Sequence, residues 1–476
     1  MKQLSGLDTA FLSLETAATP LHVGSAVIID GATLPDGWGY EAVHDLIASR
    51  LDRLPPFRWK LVQVPFGIDL PYWVEDPDFD LEFHLRRSGV PKPGGPRELA
   101  EVVARIHARP LDRSRPLWEL YIVEGLANGD VALVSKIHHA AIDGVSGAEL
   151  LTALVDLEPL PPPTGVAVEV EGERQPGRVE MLARGGRGLV KQPFRLARTA
   201  VRTARALPGL GGLAEMAVPN VARRRVGDGG MLQRPHLQAP PTPFNGAITQ
   251  HRVWAFDDLP LDTVKAVKNA AGATVNDVIM TICARALRRY LLEHDALPDR
   301  PLQAMIPISV RTDDDRDGMG NQVTALVATL ATHLEDAREQ LTYTSERMQV
   351  AKHSGAVPAQ LLQDVTRFGA PALAARAARV ATRTRWADRF RLPFNCVISN
   401  VPGPPIPLYY AGARIKALYP VSAIADGIGL NITVMSYEDR VGVGLVACRD
   451  LVPDLWDLMG MISDALDDLV AAYDVG

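Results

Sequence analysis

Residues 131–147 read Val-Ala-Leu-Val-Ser-Lys-Ile-His138-His139-Ala-Ala-Ile-Asp143-Gly144-Val-Ser-Gly147, and this stretch decides the fold. The apolar, β-branched run predicts a strand that ends at two adjacent histidines, and a helix-compatible segment follows from Ala148 to Leu157. Neighbouring residues of a strand face opposite sides. We therefore expect only one of the two histidines to point at a substrate, while the other is packed or hydrogen-bonded inside.

The four polar or glycine positions of this segment have different predicted roles. His139 is the candidate general base, because imidazole accepts and returns a proton near neutral pH. For His138 we favour a structural role with satisfied hydrogen bonds. Asp143 is interpreted as a carboxylate that holds the turn by accepting backbone N–H bonds or by pairing with a buried arginine. Gly144 supplies the backbone freedom that the turn needs.

A metal site is the alternative interpretation of the same segment. His138, His139 and Asp143 could form a set of two histidines and one carboxylate. Adjacent histidines diverge on a strand, which makes this site the weaker hypothesis. The three cysteines, Cys283, Cys396 and Cys448, are far apart and have no zinc-like spacing, so neither a disulfide framework nor a zinc site is predicted.

Other segments with distinctive polar and proline residues follow in chain order. They comprise Leu4–Leu12 with Pro20–Gly24, Arg115-Pro116-Leu117-Trp118-Glu119, Thr274-Val-Asn276-Asp277-Val-Ile, Pro307-Ile-Ser309-Val-Arg311 with Gly320-Asn321, and Ser399-Asn400-Val-Pro402-Gly403-Pro404. The His-His-x-x-x-Asp-Gly segment resembles the signature of the CoA-dependent acyltransferase superfamily, which includes chloramphenicol acetyltransferase and peptide-synthetase condensation domains. Together the segments, in family order over nearly the whole chain, resemble the bacterial wax ester synthase/acyl-CoA:diacylglycerol acyltransferase family.

This resemblance implies a fold and a function. The implied fold is α/β, with two chloramphenicol-acetyltransferase-like domains whose mixed sheets are flanked by helices, and with the active site in a channel between them. The implied reaction moves a long acyl chain from acyl-CoA to diacylglycerol or to a long-chain alcohol. Acyl-CoA is then a substrate, and no cofactor is expected. Sequence does not rank the two acceptors, because the choice depends on the shape of the channel.

The remaining motif residues receive roles that accompany this chemistry. Asn276 is the best candidate donor to the oxyanion of a tetrahedral intermediate. The structural alternative is that Asn276 is the N-cap of a helix, and both roles could hold at once. Asp277 would sit in the first helical turn, where a carboxylate is favoured in any case. Three further sets are interpreted as substrate-binding or structural: Pro116, Leu117 and Trp118 as a packing anchor near the acyl channel, Arg311 as a partner of Asp143, and Ser399 with Asn400.

Length and composition agree with a two-domain enzyme. The chain has 476 residues, of which 47% are hydrophobic, which suggests two cores and excludes a mostly disordered protein. We expect an N-terminal domain over 1–165, a linker over 166–240 and a C-terminal domain over 241–476. No apolar run approaches the ~18 to 20 residues of a membrane span, and no signal sequence is evident. A soluble protein of the reducing cytoplasm is the expectation.

Hydrophobic periodicity gives a coarse set of elements. The predicted strands are Leu21–Ile29, Phe57–Val64, Val131–Ile137, Leu302–Val310, Gln322–Thr332, Phe394–Ser399, Arg414–Val421, Gly429–Ser436 and Val441–Ala447. The predicted helices are Tyr40–Arg53, Glu98–His107, Gly147–Val155, Leu261–Asn269, Asn276–His294, a helical tract over 335–391, and Leu455–Ala472.

The linker is strongly basic. Residues 174–225 contain twelve Arg or Lys against two Glu, a local charge of +10, so the rest of the chain carries −16 of the total of −6. Cations from Arg184 to Arg205 recur every three or four residues, the spacing of one helical face. Such a helix is typical of docking on an anionic membrane or lipid-droplet surface. A solvated stripe packed on its own domain is an equal alternative, and nucleic acid binding is weaker because no recognition motif accompanies the charge.

Competing functional motifs are poor. Ser146 misses the Gly-x-Ser-x-Gly nucleophile elbow by one glycine. The Gly442-Val-Gly444 pattern matches a loose dinucleotide fingerprint, but it lies within a strand-like alternation. Two other hypotheses are retained: an acyltransferase of this fold that acts on another lipid or polyketide alcohol, and a non-catalytic, condensation-like binding module. The combination of both histidines, Asp143 and Asn276-Asp277 argues against the binding module.

Overall fold

The computed structural model describes residues 1–142, 153–160, 238–309, 323–353 and 371–475, and residues 174, 176, 177, 179–184 and 186. The described strands are β1 (Lys2–Gln3), β2 (His22–Ile29), β3 (Trp59–Val62), β4 (Tyr72–Glu75), β5 (Leu85–Gly89), β6 (Trp118–Glu124), β7 (Val131–His138), β8 (Arg252–Pro260), β9 (Gln303–Ser309), β10 (Val323–Thr329), β11 (Cys396–Val401), β12 (Tyr409–Tyr410), β13 (Ala413–Val421), β14 (Leu430–Tyr437) and β15 (Arg440–Cys448). The described α-helices are α1 (Gly6–Leu14), α2 (Tyr40–Ala48), α3 (Leu81–His84), α4 (Pro96–His107), α5 (Leu261–Ala271), α6 (Val275–Glu293), α7 (Ala337–His353), α8 (Pro371–Arg383) and α9 (Leu455–Tyr473).

The first large sheet carries the histidine segment. Its six strands follow the order β12-β13-β2-β7-β6-β5, and all neighbours are antiparallel except β5 and β6. The register places His22 of β2 opposite His138 of β7. Strand β13 pairs with β2 on the other side. A strand from late in the chain therefore completes the sheet that presents the histidines, while the boundaries predicted at 165 and 240 stay a prediction.

The second large sheet follows the order β10-β9-β11-β14-β15-β8 and mixes parallel with antiparallel pairs. Helices α6 and α9 pack against each other beside it, and their apolar faces share one core with the strands. The mixed α/β fold predicted from the sequence is confirmed. The channel between the two halves stays a prediction.

Two glycines of β15 explain how the sheets meet. A Cβ atom on Gly444 would lie 1.9 Å from the carbonyl oxygen of Pro420, and one on Gly442 would lie 2.2 Å from that of Leu418. Only glycine lets β13 pass this close to β15. The pattern Gly442-Val-Gly444 thus lies inside a strand, as predicted, and does not form the strand-to-helix turn of a dinucleotide site.

Helix α4 packs between the two large sheets. It contacts β7 of the first sheet and β8 of the second. Its buried face and the facing strands form one apolar cluster that includes Leu99, Val103, Ile106, Val134, Trp254 and Tyr419. Arg252 of β8 adds a polar tie by donating to the carbonyl oxygen of Ala18. The segment that leads into β2 is therefore held against the second sheet.

Two expectations about the rest of the chain can be compared with the structure. All three cysteines are buried and unpaired. Among the described residues, no helix is both long and apolar enough to cross a bilayer.

Candidate active site

Backbone hydrogen bonds from two neighbouring segments fix the end of β7. The amide of His138 donates to the carbonyl oxygen of Leu117 (2.9 Å), and the amide of His139 donates to that of Leu21 (2.9 Å). The strand ends at His138, and a single 3-10 turn, His139–Ala141, follows. Because the backbone amides of both histidines are hydrogen-bonded to neighbouring segments, a rigid backbone carries the two imidazoles.

The ring of His138 points inward. It is 1% exposed, and its Nδ1 accepts a hydrogen bond from the amide of Ala140 (3.0 Å). An accepting Nδ1 places the proton of the neutral ring on Nε2. That atom lies 3.5 Å from Oε2 of Glu15. His138 is therefore buried and hydrogen-bonded through Nδ1, while Nε2 has no hydrogen-bond partner among the described residues; the structural role stays a prediction.

Glu15 is the centre of a buried polar cluster. Its carboxylate accepts from Nε of Arg113 (3.0 Å) and lies 3.3 Å from Nε2 of His22. Burial alone raises the pKa of Glu15, but hydrogen bonds with His138 and His22 and the charge of Arg113 outweigh it and hold the pKa well below its usual range. Burial lowers the pKa of His22 to about 4. The carboxylate of Glu15 is thus ionised beside the neutral imidazole of His22.

The ring of His139 lies apart from this cluster. It stacks on Phe11 of α1, with ring centroids 4.1 Å apart and planes inclined by 22°. The residue is partly exposed, while its Nδ1 is buried and, among the described residues, has no hydrogen-bond partner. Burial lowers the pKa of His139 to about 4, and the nearby His138 adds to the lowering. The imidazole is neutral at pH 7 and free to accept a proton.

Three residues of the predicted site lie outside the described part of the chain. Asp143 and Gly144 follow directly after it ends at 142, and Arg311 falls in the undescribed stretch 310–322. Their roles, the Asp143–Arg311 pair and the alternative metal site therefore stay predictions. The rings of His138 and His139 diverge, as the alternation of a strand requires.

The Pro116-Leu117-Trp118 segment is a packing anchor. Leu117 and Trp118 are buried. The indole of Trp118 donates to the carbonyl oxygen of Phe57 (2.8 Å) and stacks on the rings of Phe57 and His84. Leu117 supplies the carbonyl that binds the amide of His138. The segment therefore positions the histidine strand through its backbone and does not present a reactive group.

Asn276 and Asp277 lie in the first turn of α6. The N-cap is Thr274, so the alternative that Asn276 caps the helix is wrong: the helix begins one residue before it. Asp277 completes a capping box, because its Oδ2 accepts from the amide of Thr274 (3.0 Å) and its own amide donates to Oγ1 of Thr274 (3.2 Å). Ser345 also donates to Asp277 (3.2 Å). Asp277 is thus occupied in stabilising the helix start.

The Ser399-Asn400 segment lies beside this helix start. Both residues belong to β11, and Nδ2 of Asn400 donates to Oδ1 of Asn276 (3.4 Å). The following Gly403 is required by close packing, since a Cβ there would lie 1.9 Å from the carbonyl oxygen of Ser436. The structure thus brings together two motifs that lie 124 residues apart in sequence.

We call Glu15, His22, Arg113, His138 and His139 the histidine corner, and Asn276, Asp277 and Asn400 the asparagine corner. The histidine corner contains the neutral imidazole of His139 and the buried, charged carboxylate of Glu15. The second provides amide groups at the positive end of a helix dipole. Among the described residues, no hydrogen bond or ion pair joins the two corners.

Sequence reasoning missed Glu15 and Arg113 and did not assign His22 a role. A signal for Glu15 existed in α1, whose Ser5 caps the helix and bonds Asp8 three residues later, the spacing of a capping motif. A helix from Gly6 would have placed Glu15 at its end, just before β2. Arg113 lies in a loop and carried no comparable signal.

Two family models match the chain. The model described as the wax ester synthase/diacylglycerol acyltransferase catalytic domain matches residues 4–279, which include His138, His139 and Asn276. The model described as the WS/DGAT C-terminal domain matches residues 319–470.

Relatives match over almost the full chain. A Mycobacterium tuberculosis protein named as a diacylglycerol O-acyltransferase is 38% identical over 476 residues, which is 100% of this chain and 91% of the relative. The O-acyltransferase WSD of Acinetobacter baylyi is 32% identical over 476 residues, 98% of this chain and 96% of the relative.

Solved structures show the same likeness. The wax ester synthase/diacylglycerol acyltransferase from Marinobacter aquaeolei VT8 has a TM-score of 0.68 and 30% identity, with 100% of both chains covered. A starter condensation domain of rhizomide synthetase, in complex with C8-CoA and Leu-SNAC, has a TM-score of 0.53 at 13% identity and covers 99% of this chain and 94% of its own. At that identity the likeness concerns the fold alone.

Proposed function

The chain belongs to the wax ester synthase/diacylglycerol acyltransferase family, and on that premise we propose that it esterifies diacylglycerol or a long-chain alcohol with the acyl group of acyl-CoA. It is an O-acyltransferase. Two findings support the choice of substrates: the relative named as a diacylglycerol O-acyltransferase and the 30% identical solved structure of a wax ester synthase/diacylglycerol acyltransferase. Acyl-CoA is consumed in this reaction, so no cofactor and no metal are invoked.

His139 acts as the general base in this proposal. Its neutral imidazole takes the proton of the acceptor hydroxyl while the oxygen attacks the thioester carbonyl. The tetrahedral intermediate then collapses, the carbon–sulfur bond breaks, and the departing CoA sulfur takes the proton from His139. No covalent acyl-enzyme is needed. The lowered pKa of His139 and the partial exposure of the residue support this role.

Asn276 donates to the oxyanion in this proposal. Asn400 donates to Oδ1 of Asn276, which leaves Nδ2 of Asn276 as the group that would donate to the oxyanion. The first turn of α6 adds the positive end of the helix dipole, which favours a developing negative charge. Asp277, which is bound within the capping box, holds the turn that carries Asn276.

Acceptors of this kind reside in bilayers or droplets, so the protein has to meet an apolar surface. We place it in the cytoplasm, peripherally associated with the inner face of the membrane or with lipid droplets. The basic stripe from Arg184 to Arg205 is one candidate for docking. Of the stripe, only Arg184 lies within the described residues; nearby Met181 packs on Val62, Val64 and Val74.

The test is an assay with labelled palmitoyl-CoA and either diacylglycerol or hexadecanol as acceptor. Formation of triacylglycerol, wax ester or both, with stoichiometric release of CoA, is expected. If neither ester forms but other lipid or polyketide alcohols are acylated, the substrate assignment is wrong and the first alternative holds. Binding of acyl-CoA without turnover on any alcohol would favour the non-catalytic, condensation-like module.

A further inference from the structure

Several large apolar side chains are exposed in the segment from α8 to Leu392. Val380 is 58% exposed, and Trp386 and Phe390 are each 51% exposed. The two aromatic rings stack on each other, with centroids 4.3 Å apart. Leu392, two residues after Phe390, is 36% exposed.

Arginines alternate in sequence with these apolar residues. The stretch 371–391 contains six arginines and one acidic residue, Asp388. All six are exposed, and within the described part of the chain only Arg385 has an acidic partner, Asp388 at 2.7 Å. We call the following residues the aromatic–arginine surface: Val380, Trp386, Phe390 and Leu392 with Arg376, Arg379, Arg383, Arg385, Arg389 and Arg391.

The backbone beneath this surface is held in place. Thr382 donates to Oδ2 of Asp426 (2.6 Å). Asp388 accepts from the amide of Ala247 through Oδ1 (2.7 Å). The apolar side chains are therefore exposed from a segment that is bonded at two points to the loops that precede β14 and β8.

The surface lies next to the histidine corner. Helix α8 packs directly against α1, the helix whose Phe11 stacks on His139. Leu14 of α1 is exposed, and the turn Pro65–Gly67, which also contacts α8, exposes 83% of Phe66. A lipid layer on this side would meet the protein close to the candidate base.

We propose that the aromatic–arginine surface docks on anionic phospholipid and brings the site beside α1 to its acceptor. This inference rests on the proposed function, which requires an acceptor dissolved in lipid. Interfacial aromatic rings insert at headgroup depth, and arginines pair with lipid phosphates while their stems lie along the apolar layer. The excess of positive charge selects an anionic layer over a neutral one.

Vesicle flotation of the full chain tests the inference. The parent protein is expected to float with vesicles that contain phosphatidylglycerol and far less with pure phosphatidylcholine. The triple variant R376Q/R379Q/R383Q is expected to lose about 100-fold in partitioning to the anionic vesicles, and high salt should mimic this loss in the parent. The double variant W386S/F390S should also lose partitioning, but its residual binding should keep its salt dependence. We call the triple and the double variant together the α8 variants, although Trp386 and Phe390 lie just after the helix.

Matched controls make the result specific. R53Q/K265Q/R300Q removes three exposed cations elsewhere, and L292S/I406S removes two exposed apolar side chains; both should float like the parent. Flotation of the α8 variants at the parent level overturns the inference, as does loss of binding only in R195Q/R198Q/R202Q/R205Q. If the α8 variants keep vesicle binding but lose self-association in solution, the surface binds protein and the inference is equally overturned.

The proposed function fails separately. Acylation of a short, water-soluble alcohol requires no lipid layer, so the parent and the α8 variants should turn it over at the same rate. A parent that acylates no alcohol contradicts the function whatever the flotation shows. A parent that acylates the soluble alcohol while its α8 variants float normally contradicts only the docking surface.

Discussion

The histidine corner and the asparagine corner are built from polar residues in opposite ways. In the first, an ionised Glu15 lies beneath two imidazoles and an arginine, and burial lowers the pKa values of His22 and His139. In the asparagine corner, the uncharged amides of Asn276 and Asn400 meet at the start of α6. Its one carboxylate, Asp277, is hydrogen-bonded within the capping box. The difference teaches that proton transfer and oxyanion stabilisation need different surroundings: a desolvated base in one place and fixed dipoles in the other.

The largest expected effect separates the two adjacent histidines of the first corner. His139→Ala should lower turnover about 100- to 10,000-fold with an unchanged melting temperature, because the hydroxyl loses its proton acceptor. His138→Ala should instead lower the melting temperature, because Glu15 loses a partner. CoA release and thermal unfolding measure the two effects.

His44→Ala is the matched control, since this histidine of α2 is partly exposed and belongs to neither corner. EDTA should leave the parent unchanged. Full activity of His139→Ala, or activity lost in EDTA and restored by zinc, contradicts the assignment of the base.

Asn276→Ala tests the second corner. Removal of one oxyanion donor should lower kcat about 100- to 1,000-fold with little change in KM, because the interaction is made in the transition state. Asn269→Ala, which removes an exposed amide near the end of α5, is the control. A change confined to KM would mean that Asn276 binds the substrate in the ground state. The residue that donates to the oxyanion would then still have to be identified.

Glu15→Gln tests whether the buried charge of the first corner stabilises the fold. The free energy of unfolding at pH 7 should fall by about 2 to 3 kcal/mol, because His22, His138 and Arg113 lose a charged acceptor. The lowered pKa of Glu15 makes its contribution fully present above the ordinary carboxyl pKa of 4.5 and lost as the pH falls below it. Parent and variant should therefore converge in stability at acid pH.

Glu101→Gln, at an exposed pair with Arg105, should change stability by less than about 0.5 kcal/mol. Denaturant unfolding at pH 7 and at acid pH gives both comparisons. Equal stability of Glu15→Gln and the parent at pH 7 would show that the cluster does not stabilise the fold.

The smallest expected effect concerns the contact within the asparagine corner. Asn400→Ala should lower kcat about 2- to 10-fold, the value of one neutral hydrogen bond, because the 3.4 Å contact only orients Asn276. The double variant with Asn276→Ala should be no slower than Asn276→Ala alone. Additive losses in the double-mutant cycle would mean that Asn400 acts on the substrate independently of Asn276.

Local patterns predicted much of this framework. The strand predicted at Val131–Ile137 is observed at Val131–His138, and the helix predicted at Asn276–His294 is observed at Val275–Glu293. Both have strong hydrophobic periodicity and clear end signals, which a single sequence carries. The short α1 was missed because nine residues give too little periodicity, although its Ser5 cap was visible.

Long-range pairing could not be predicted. Strand β13 was recognised as a strand, but nothing in residues 413–421 shows that their partner is β2, nearly 400 residues earlier. The same holds for Arg113, whose loop reaches Glu15 only in the folded chain, and for the meeting of Asn276 with Asn400. Each of these contacts depends on how distant segments meet in the folded chain. The local sequence around one residue does not identify the residue that it will contact.

The most direct test of the central claim, that His139 is a desolvated base apart from the Glu15 cluster, is the pH dependence of kcat/KM with a short, water-soluble alcohol. A base is lost when it is protonated, so the rate should stay level below pH 6.5 and fall only as the pH approaches about 4. Samples returned from each pH to pH 7 should recover full activity, which separates titration from unfolding. A reversible fall centred at or above pH 6.5, the ordinary pKa of histidine, would contradict the account.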